Sequence, residues 1–535
     1  MSGFSREPLW WREAVIYQIY PRSFRDESGD GVGDLAGIEA RLDHLTELGV
    51  DCVWVSPFYP SPMKDFGYDV SDYTGVDPLF GTLADFDRLL AAAHERGLKL
   101  VMDFVPNHSS DRHEWFEASR SSRDDPKRDW YIWRDPTPGG VPTNWQSQAG
   151  GPAWTFDEAT GQYYLHTFLA AQPDLNWRNP AVREAMLDAM RFWFERGVDG
   201  FRLDVVYHSI KDERFRDDPP NPDYDPDKDP PFKSVIPTHS TDQEEVLELV
   251  VDPMRRLAEE MGDRLLIGEI YLPFERLVRY YGEDDTGVHL PFNFALIGAE
   301  WNASSIADLI ERYESHVPSD GWPNWVLGNH DQSRIATRIG AAQARVAAML
   351  LLTLRGTPTV YYGDEIGMQD VEIPPDRVRD PWEINMPGLG EGRDPCRTPM
   401  RWDATPRRGF CAEGVEPWLP FGPEEPNVAS QTEHSASMLT LHRELLALRR
   451  SCAALSRGDY ERIAAYGDLL AIERRCKGER VTVLLNLGDR TAPLPEDVVP
   501  PDGEWLLSTH AREGRNPLEP LAPAEGRIVG HAHEA

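Results

Sequence analysis

Short apolar runs, several of them rich in β-branched residues, alternate with longer segments of helical spacing along most of this chain. The runs that predict buried strands are residues 14–20, 51–56, 98–105, 199–205, 264–270, 290–295, 324–327 and 358–362. The helical segments are residues 35–48, 82–96, 181–196, 242–261, 304–316 and 341–354. Eight strands with helices between most of them predict an α/β fold, a parallel (β/α)8 TIM barrel with its active site at the carboxyl ends of the strands.

Two parts of the chain depart from this alternation. Residues 109–172, rich in Trp, Pro, Gly and Asp, predict an inserted subdomain after the third strand. After a last helix at 435–450, short apolar runs between 457 and 488 predict a C-terminal antiparallel β domain. The predicted organisation is a barrel formed by residues 1–108 and 173–455, an insert at 109–172 and a C-terminal domain at 456–535.

The composition narrows the classes of partner. With 55 basic and 90 acidic residues the formal net charge is −35, whereas nucleic acids and anionic membranes both require a basic surface. These partners are therefore disfavoured, and a neutral small molecule is expected instead. No apolar run approaches the roughly 18 residues that a membrane span needs, and residues 1–11 lack the apolar core of a signal peptide.

The five cysteines are scattered and form no C-x-x-C pair, so the sequence indicates neither a disulfide framework nor a zinc site. This usage predicts a reducing, cytoplasmic location. The sequence leaves the oligomeric state open.

Charged residues stand at the carboxyl ends of four predicted strands. Because these ends converge on one face of a barrel, we expect the side chains to meet there. They are Asp103 and, shortly after it, His108 for the third strand, Arg202 and Asp204 for the fourth, Glu269 for the fifth, and His330 and Asp331 for the seventh.

Two facing carboxyl groups are what the cleavage of a glycosidic bond requires. Arg202 and Asp204 are two residues apart and point to the same side of a strand, so the guanidinium would keep Asp204 ionised, which suits a nucleophile. Glu269 lies between Gly268 and Ile270 with no basic residue adjacent. A less charged pocket would raise its pKa and favour a role as general acid.

At these positions the sequence resembles the α-amylase family of glycoside hydrolases, in particular its oligo-1,6-glucosidase and α-glucosidase branch. The resemblance covers nearly the whole chain. It is carried by AVIYQIYPRSF at 14–24, GVDCVWVSP at 49–57, DFVPNH at 103–108, GFRLD at 200–204, GE at 268–269, NHD at 329–331 and RTPMRWD at 397–403. The segment QPDLN at 172–176 is typical of this branch rather than of the neopullulanase-like one.

The resemblance implies a role for each of these residues. It makes Asp204 the nucleophile, Glu269 the general acid/base and Asp331 the stabiliser of the transition state. Arg202, His108 and His330 would surround the same glucose, Asp65 and Tyr68 would cap its nonreducing end, Phe168 would form a wall and Arg397 would close the pocket. A closed pocket implies exo action on short α-linked glucosides, with retention through a covalent glucosyl-enzyme intermediate and with transglucosylation as a side reaction.

The bond that is cleaved stays open at this point. Val205, directly after Asp204, is typical of α-1,6 cleavage in the resembling family, but the continuation at 206–208 is not. A transferase or isomerase of the same fold, such as a trehalose synthase or sucrose isomerase, would share every one of these residues. A non-catalytic relative of the transporter heavy-chain type is disfavoured, because the carboxylates are present and no membrane span is predicted.

One loop has the alternating oxygen donors of a calcium site. The donors are Asp26, Ser28, Asp30, Val32 and Asp34. The loop is not an EF-hand, because its twelfth position is Gly37 instead of Glu. The resemblance implies one structural Ca²⁺ or Mg²⁺ on these residues, with Val32 contributing its backbone carbonyl, and no organic cofactor.

Overall fold

Eight parallel strands close into a barrel, as the alternation predicts. The computed structural model describes residues 9–262, 264–283, 286–496, 498–501, 503–510 and 516–531. The barrel strands are β1 (Ile16–Ile19), β2 (Cys52–Val55), β3 (Lys99–Phe104), β7 (Gly200–Leu203), β8 (Leu265–Gly268), β9 (Leu290–Asn293), β10 (Asn324–Val326) and β11 (Thr357–Tyr361). Each pairs in parallel with the next along the chain, and β11 closes onto β1. The predicted fold class is confirmed.

The remaining strands form two antiparallel sheets. A three-stranded sheet between β3 and β7 contains β4 (Trp133–Arg134), β5 (Trp154–Asp157) and β6 (Gln162–Leu165). A five-stranded C-terminal sheet contains β12 (Asp459–Tyr466), β13 (Leu469–Cys476), β14 (Glu479–Asn486), β15 (Glu504–Ser508) and β16 (Gly526–Gly530). The two sheets lie within the predicted insert and C-terminal domain, while the exact domain boundaries stay a prediction.

Helices follow most of the barrel strands along the chain, and shorter ones lie in the insert and in the connecting loops. They are α1 (Trp10–Glu13), α2 (Pro21–Phe24), α3 (Leu35–Glu39), α4 (Leu42–Leu48), α5 (Leu83–Glu95), α6 (Glu114–Ser121), α7 (Pro180–Arg196), α8 (Asp252–Glu260), α9 (Phe274–Leu277), α10 (Ala303–His316), α11 (Ile335–Thr353), α12 (Pro381–Asn385), α13 (Val428–Thr432), α14 (Met438–Ser451) and α15 (Ala453–Ser456). The local sequence explains where these helices begin and end. Thr82 and Asp85, for example, form a capping box at the start of α5.

Two predicted helices differ from the structure. The segment 35–48 is divided into α3 and α4 at Arg41, whose backbone leaves the helical region. The segment 242–261 becomes helical only at Glu245, with a π-turn (Leu247–Val251) before α8. Pro253, at the start of α8, has no amide hydrogen to donate to the preceding turn, which agrees with the wider π geometry there.

Alternation along the strands divides the core into an inner and an outer layer. Ile16, Trp54, Val101, Ile267 and Phe292 belong to a cluster that fills the barrel interior. The residues between them point outward and pack under the helices in the largest cluster. The inward-pointing positions closer to the carboxyl ends are therefore the ones that reach the open face of the barrel.

Among the described residues, no helix is both long and apolar enough to cross a membrane. Residues 1–8, which include most of the segment tested for a signal peptide, lie outside the described residues. The cytoplasmic location stays a prediction.

Candidate active site

On β3 and β8 the inward face changes from apolar to charged at the carboxyl end of the strand. Val101 is followed on the same face by Asp103, and Ile267 is followed by Glu269. On β7 the inward positions are Gly200, Arg202 and Asp204. The register pairs Asp103 with Arg202 and Arg202 with Ile267, so the charged side chains of three neighbouring strands meet at one level.

Arg202 is the centre of this group. Its Nη1 lies 2.6 Å from Oδ1 of Asp103 and 2.7 Å from Oδ1 of Asp204. Its Nη2 lies 2.7 Å from Oε2 of Glu269. The guanidinium, which is fully buried, also lies 5.0 Å from the ring centroid of Trp54. One cation thus holds three carboxylates, including both predicted members of the catalytic pair, in fixed positions.

The surroundings of Glu269 differ from the sequence-based expectation. Its pocket is not poor in charge, because Arg202, which is distant in sequence, binds it directly. Burial nevertheless raises the pKa of Glu269 above its ordinary value. Burial also raises the pKa of Asp204, against the opposing effect of Arg202, so this arginine does not favour ionisation of Asp204 selectively. The pKa of Asp103 is raised by burial to about 6.

The backbone turns sharply after Asp204. Val205 has φ +35° and ψ 41°, a left-handed conformation that is rare for a β-branched residue. In this conformation its N–H donates a 2.9 Å hydrogen bond to Oε2 of Glu269. The strained residue therefore links the two carboxylates through the main chain, which is the kind of strain that concentrates at functional sites.

The carboxylate of Asp331 contacts one histidine and one arginine. Oδ2 is 3.2 Å from Nε2 of His330, and Arg397 donates to Oδ1 at 2.8 Å. Burial opposes ionisation of Asp331, but the contact with His330 and the charges of Arg397 and Arg393 outweigh it and hold its pKa below the ordinary range. Asp331 is therefore the carboxyl of the site that stays ionised most readily.

The position of Arg397 corrects the role expected for it. Arg397 does not line the pocket but lies behind Asp331, donating also to the carbonyl of His330 at 2.6 Å. Arg393 occupies the pocket wall instead, where it donates 2.7 Å hydrogen bonds to both Asp65 and Asp380. Arg393 reaches this place from a loop without periodicity, so its sequence neighbours gave no signal for it.

The adjoining wall is formed by His108 and the residues that hold it. Gln172 donates to Oδ2 of Asp65 at 3.2 Å and lies 3.1 Å from Nε2 of His108. Burial lowers the pKa of His108 to about 4, so the ring is neutral at pH 7. Phe168 packs against this ring, at 5.2 Å between centroids. Gln172 was predicted only as part of a branch motif, not as a site residue.

Tyr68 joins the two sides of the site. Its ring stacks on His330 with centroids 5.3 Å apart and an interplanar angle of 1°. Its hydroxyl lies 2.7 Å from Nε2 of His330 and donates to Oδ2 of Asp103 at 3.1 Å. The predicted residues Asp65, Tyr68, His108, Phe168, Asp204, Glu269, His330 and Asp331 all line one cavity of about 440 Å³, while Arg202 lies directly beneath it.

Loops that the sequence did not single out narrow the mouth of this cavity. Phe232, in the acidic segment after β7, contacts Trp382 of α12 edge-on, with 6.3 Å between ring centroids. Lys233 and Glu391 line the same entrance. Tyr271, two residues after Glu269, stacks on Phe294 at 4.0 Å and also lines the cavity.

The family comparisons agree with this geometry. A model of the α-amylase catalytic domain matches residues 18–458, and a domain of unknown function, DUF3459, matches residues 456–528. The chain belongs to the α-amylase family. This confirms the resemblance carried by the sequence motifs, and the enzyme is an α-amylase family glycoside hydrolase.

Individual relatives of this family member place it in the predicted branch. A probable α-glucosidase of Rhizobium meliloti is 42% identical over 502 residues, covering 90% of each chain. An oligo-1,6-glucosidase of Halalkalibacterium halodurans is 37% identical, covering 97% of this chain and 98% of the relative. The crystal structure of an α-glucosyl transfer enzyme, XgtA, superposes with a TM-score of 0.91 at 39% identity, covering 98% of this chain and 100% of the other.

The proposed cation loop of this α-amylase family member lies outside the pocket. Its donors are hard oxygens, which suit Ca²⁺ or Mg²⁺. The carboxylate of Asp26 accepts hydrogen bonds from Ser28, Gly29 and Gly31, and that of Asp34 accepts from three backbone amides of the loop and of α3. Within the described residues, no group of three or more His, Cys, Asp or Glu side chains is close enough to hold a metal. The cation site stays a prediction.

The three carboxylates on Arg202 generate a prediction about stability. We expect Arg202→Met to lower the free energy of unfolding by about 3–5 kcal/mol at pH 7, because three buried carboxylates lose their only shared cation. Their folded-state pKa values, already raised by burial, would rise further above the unfolded value of about 4. The destabilisation should therefore grow as the pH rises from 5 to 8.

Urea unfolding of the two proteins at several pH values measures this effect, with Arg202→Lys as the control that keeps the charge. A stability loss in Arg202→Met that is the same at pH 5 and pH 8 would show that the three carboxylates do not depend on the cation.

Proposed function

We propose that this enzyme is an exo-acting retaining α-glucosidase that removes terminal glucose from short α-linked glucosides of the maltose or isomaltose type. The observation that carries the proposal is the pairing of Asp204 and Glu269 on the two nitrogens of Arg202. Carboxyl groups held by one guanidinium are close together, and a short separation favours attack by a carboxylate over attack by a separately bound water.

In the first step Asp204 attacks the anomeric carbon while Glu269 protonates the leaving oxygen. Oε2 of Glu269 forms an ion pair with Arg202 and accepts a hydrogen bond from the N–H of Val205, which leaves Oε1 to carry the proton. Burial raises the pKa of Glu269 and so favours this protonated form. The products are the free aglycone and a glucosyl ester of Asp204.

In the second step the ionised Glu269 takes a proton from water, and the resulting oxygen nucleophile displaces Asp204 from the anomeric carbon. Asp331 remains ionised through both steps, in keeping with its lowered pKa, and accepts hydrogen bonds from the sugar hydroxyls. A second sugar in place of water would give transfer instead of hydrolysis.

The closed shape of the cavity supports action on a terminal glucose. At one end Arg393 pairs with Asp65 and Asp380, so a longer chain has no exit beyond the nonreducing end. At the other end the contact between Phe232 and Trp382 narrows the mouth that the aglycone occupies. Both features favour disaccharides and short oligosaccharides over polysaccharides.

A transferase or isomerase that uses the same residues is the second candidate, and the structural similarity to an α-glucosyl transfer enzyme favours keeping it. The first experiment follows maltose, isomaltose, trehalose and sucrose by NMR, with Asp204→Asn as the inactive control. We expect net release of glucose, with the α-anomer appearing first, and loss of release in the variant by a factor of roughly 10⁴ or more.

The four rates in this experiment rank the α-1,4, α-1,6 and α-1,1 bonds. Conversion of a disaccharide into its isomer without net release of glucose would contradict the glucosidase proposal and support the transferase or isomerase. Initial release of β-glucose would contradict a retaining mechanism, and full activity of Asp204→Asn would contradict the assignment of the nucleophile.

Azide rescue tests the two catalytic roles separately. With an aryl α-glucoside that needs no acid assistance, Glu269→Ala plus azide should give α-glucosyl azide, because the covalent intermediate still forms on Asp204. Asp204→Gly plus azide should give β-glucosyl azide, because azide then attacks the substrate directly. NMR of the products distinguishes the anomers, and the opposite pattern would exchange the two roles.

We also propose that one divalent cation binds the loop containing Asp26, Ser28, Asp30, Val32 and Asp34. The hard-oxygen donor set supports this, and the cation would hold the loop next to α3 without taking part in the reaction. Saturating Ca²⁺ should raise the Tm of the EDTA-treated enzyme by about 2–4 °C. Asp26→Asn should remove this gain.

Asp72→Asn is the matched control for this measurement, because Asp72 makes a similar turn with Thr74 elsewhere on the surface. A Tm that does not respond to Ca²⁺ or Mg²⁺, or an equal response in Asp26→Asn, would contradict the cation site.

A further inference from the structure

A buried amide contacts His330 from within the barrel, and no step of the proposed reaction uses it. Gln18 follows Ile16 on the inward face of β1 and is fully buried, beside Trp54 of β2 in the sheet register. Its Nε2 lies 2.8 Å from Nδ1 of His330 and donates to Oγ of Ser56 at 3.3 Å. Gln18 thus supports a residue of the site without lining the catalytic cavity itself.

The other nitrogen of the His330 ring faces two oxygen atoms. Nε2 lies 2.7 Å from the hydroxyl of Tyr68 and 3.2 Å from Oδ2 of Asp331. The Tyr68 hydroxyl gives its single hydrogen to Oδ2 of Asp103, and burial keeps it protonated by raising its pKa well above the ordinary value. The carboxylate of Asp331, to which Arg397 donates, is ionised and can only accept. Nε2 must therefore carry a hydrogen.

The two ring nitrogens of His330 share only one hydrogen. Burial lowers the pKa of His330 well below its ordinary value, assisted by the charge of Arg397 and opposed by that of Asp331, so the ring is neutral. A neutral imidazole with its hydrogen on Nε2 has a bare Nδ1, which can only accept. The amide nitrogen of Gln18 is the donor that meets it. A reversed amide would place its oxygen against this second acceptor, which excludes that orientation.

This orientation of the amide has a cost. Both amide hydrogens of Gln18 are directed away from Oε1, towards His330 and Ser56. Within the part of the chain that the structure describes, Oε1 is buried without a hydrogen-bond partner. A buried carbonyl without a partner destabilises the folded state, and a methionine of similar size would fill the same space without that cost. Packing therefore does not explain the amide, whereas its contact with His330 does.

We propose that Gln18 is a positioning residue that fixes the tautomer of His330 with its hydrogen on Nε2. The ring nitrogen of a histidine that carries the hydrogen is determined by the partner of the other nitrogen. With this tautomer, the N–H of His330 and the carboxylate of Asp331 stand side by side in the wall of the catalytic cavity as a donor and an acceptor. The other tautomer would present two acceptors that repel each other.

A donor beside an acceptor matches a sugar hydroxyl, which is itself both a donor and an acceptor. A hydroxyl of the bound glucose gives its hydrogen to Asp331 and accepts the N–H of His330, which Tyr68 and Asp331 share in the free enzyme. The tautomer follows from the geometry of the protein alone. Its contribution to bond cleavage rests on the proposed function, and the two statements are tested separately.

Neutron diffraction from crystals of the deuterated enzyme locates the hydrogens of His330 and Gln18 directly. We expect a single deuterium on the imidazole nitrogens, at Nε2, and the deuterated amide nitrogen of Gln18 facing Nδ1. Deuterium on Nδ1, or the amide oxygen facing it, would overturn the proposal whatever the enzyme catalyses. This measurement needs no variant and no substrate, so its outcome does not depend on the proposed function.

A kinetic experiment tests the contribution of Gln18 to bond cleavage. Gln18→Met removes the donor to Nδ1 and keeps the size of the side chain. We expect it to lower kcat/KM for an aryl α-glucoside by roughly tenfold, because one hydrogen bond to His330 is lost. The loss should largely disappear for one member of the series of 2-, 3-, 4- and 6-deoxy analogues, the one that lacks the hydroxyl bound by His330 and Asp331. Equal losses on every substrate of the series would overturn the proposal.

Asn324→Leu is the matched control. Asn324 is another buried amide of a barrel strand whose oxygen has no partner among the described residues, but its nitrogen donates to Thr357 and Thr359 instead of to the site. Both variants should lower the free energy of unfolding in urea, while Asn324→Leu should leave kcat/KM of the folded enzyme unchanged. An equal loss of kcat/KM in the two variants would overturn the proposal. Circular dichroism checks that both fold, and the diffraction test decides the tautomer where one does not.

Discussion

The arrangement of the carboxylates at the open end of this barrel depends on a single buried guanidinium, that of Arg202. Asp103, Asp204 and Glu269 come from three adjacent strands, and burial disfavours the ionised form of each. Arg202 offsets this cost because it donates hydrogen bonds to Asp103 and Asp204, forms an ion pair with Glu269 and lies near the ring of Trp54. A lysine has one nitrogen and could not serve three carboxylates in this arrangement. The positions of the catalytic pair therefore follow from where β7 places one side chain.

Two further arginines, Arg393 and Arg397, lie outside the barrel strands and bind the other carboxylates of the site. Arg397 fixes Asp331 from behind, and Arg393 joins Asp65 to Asp380 across the end of the cavity. The contacts of Arg397 with Asp331 and of Arg393 with Asp65 join residues more than 60 positions apart in sequence. The barrel thus supplies the reacting groups, and the loops determine how much of a substrate the cavity admits.

Local periodicity was sufficient to predict the barrel and the charged residues at its strand ends, whereas Asp65, Tyr68, Phe168 and Arg397 were expected only from the family resemblance. An alternating strand puts Arg202 and Asp204 on one face, and a closed parallel sheet brings the strand ends together. The environment of Glu269 was not predictable in this way. Its sequence neighbours Gly268 and Ile270 are apolar, whereas its spatial neighbour Arg202 lies on the adjacent strand, and only the register of β7 against β8 reveals the contact.

Loop residues escaped prediction for a different physical reason. Arg393 and Phe232 lie in segments without a repeating pattern, so no rule connects their sequence position to a direction in space. The family resemblance pointed to Arg397, four residues from Arg393. The 3₁₀ turn between them (Asp394–Arg397) places Arg397 behind Asp331 and Arg393 in the wall of the cavity. Pattern analysis is therefore strongest for groups attached to strands and weakest for the residues that set substrate length.

The charge of the assembled site suits the proposed chemistry. Six carboxyl groups of Asp65, Asp103, Asp204, Glu269, Asp331 and Asp380 share three guanidinium groups through direct contacts. The buried His108 and His330 add no positive charge, because burial lowers the pKa of each. Even with Glu269 protonated, the site keeps an excess of negative charge. Such a preorganised potential stabilises the positive charge that develops on the sugar ring in an oxocarbenium-like transition state, and it does so without reorganising the protein.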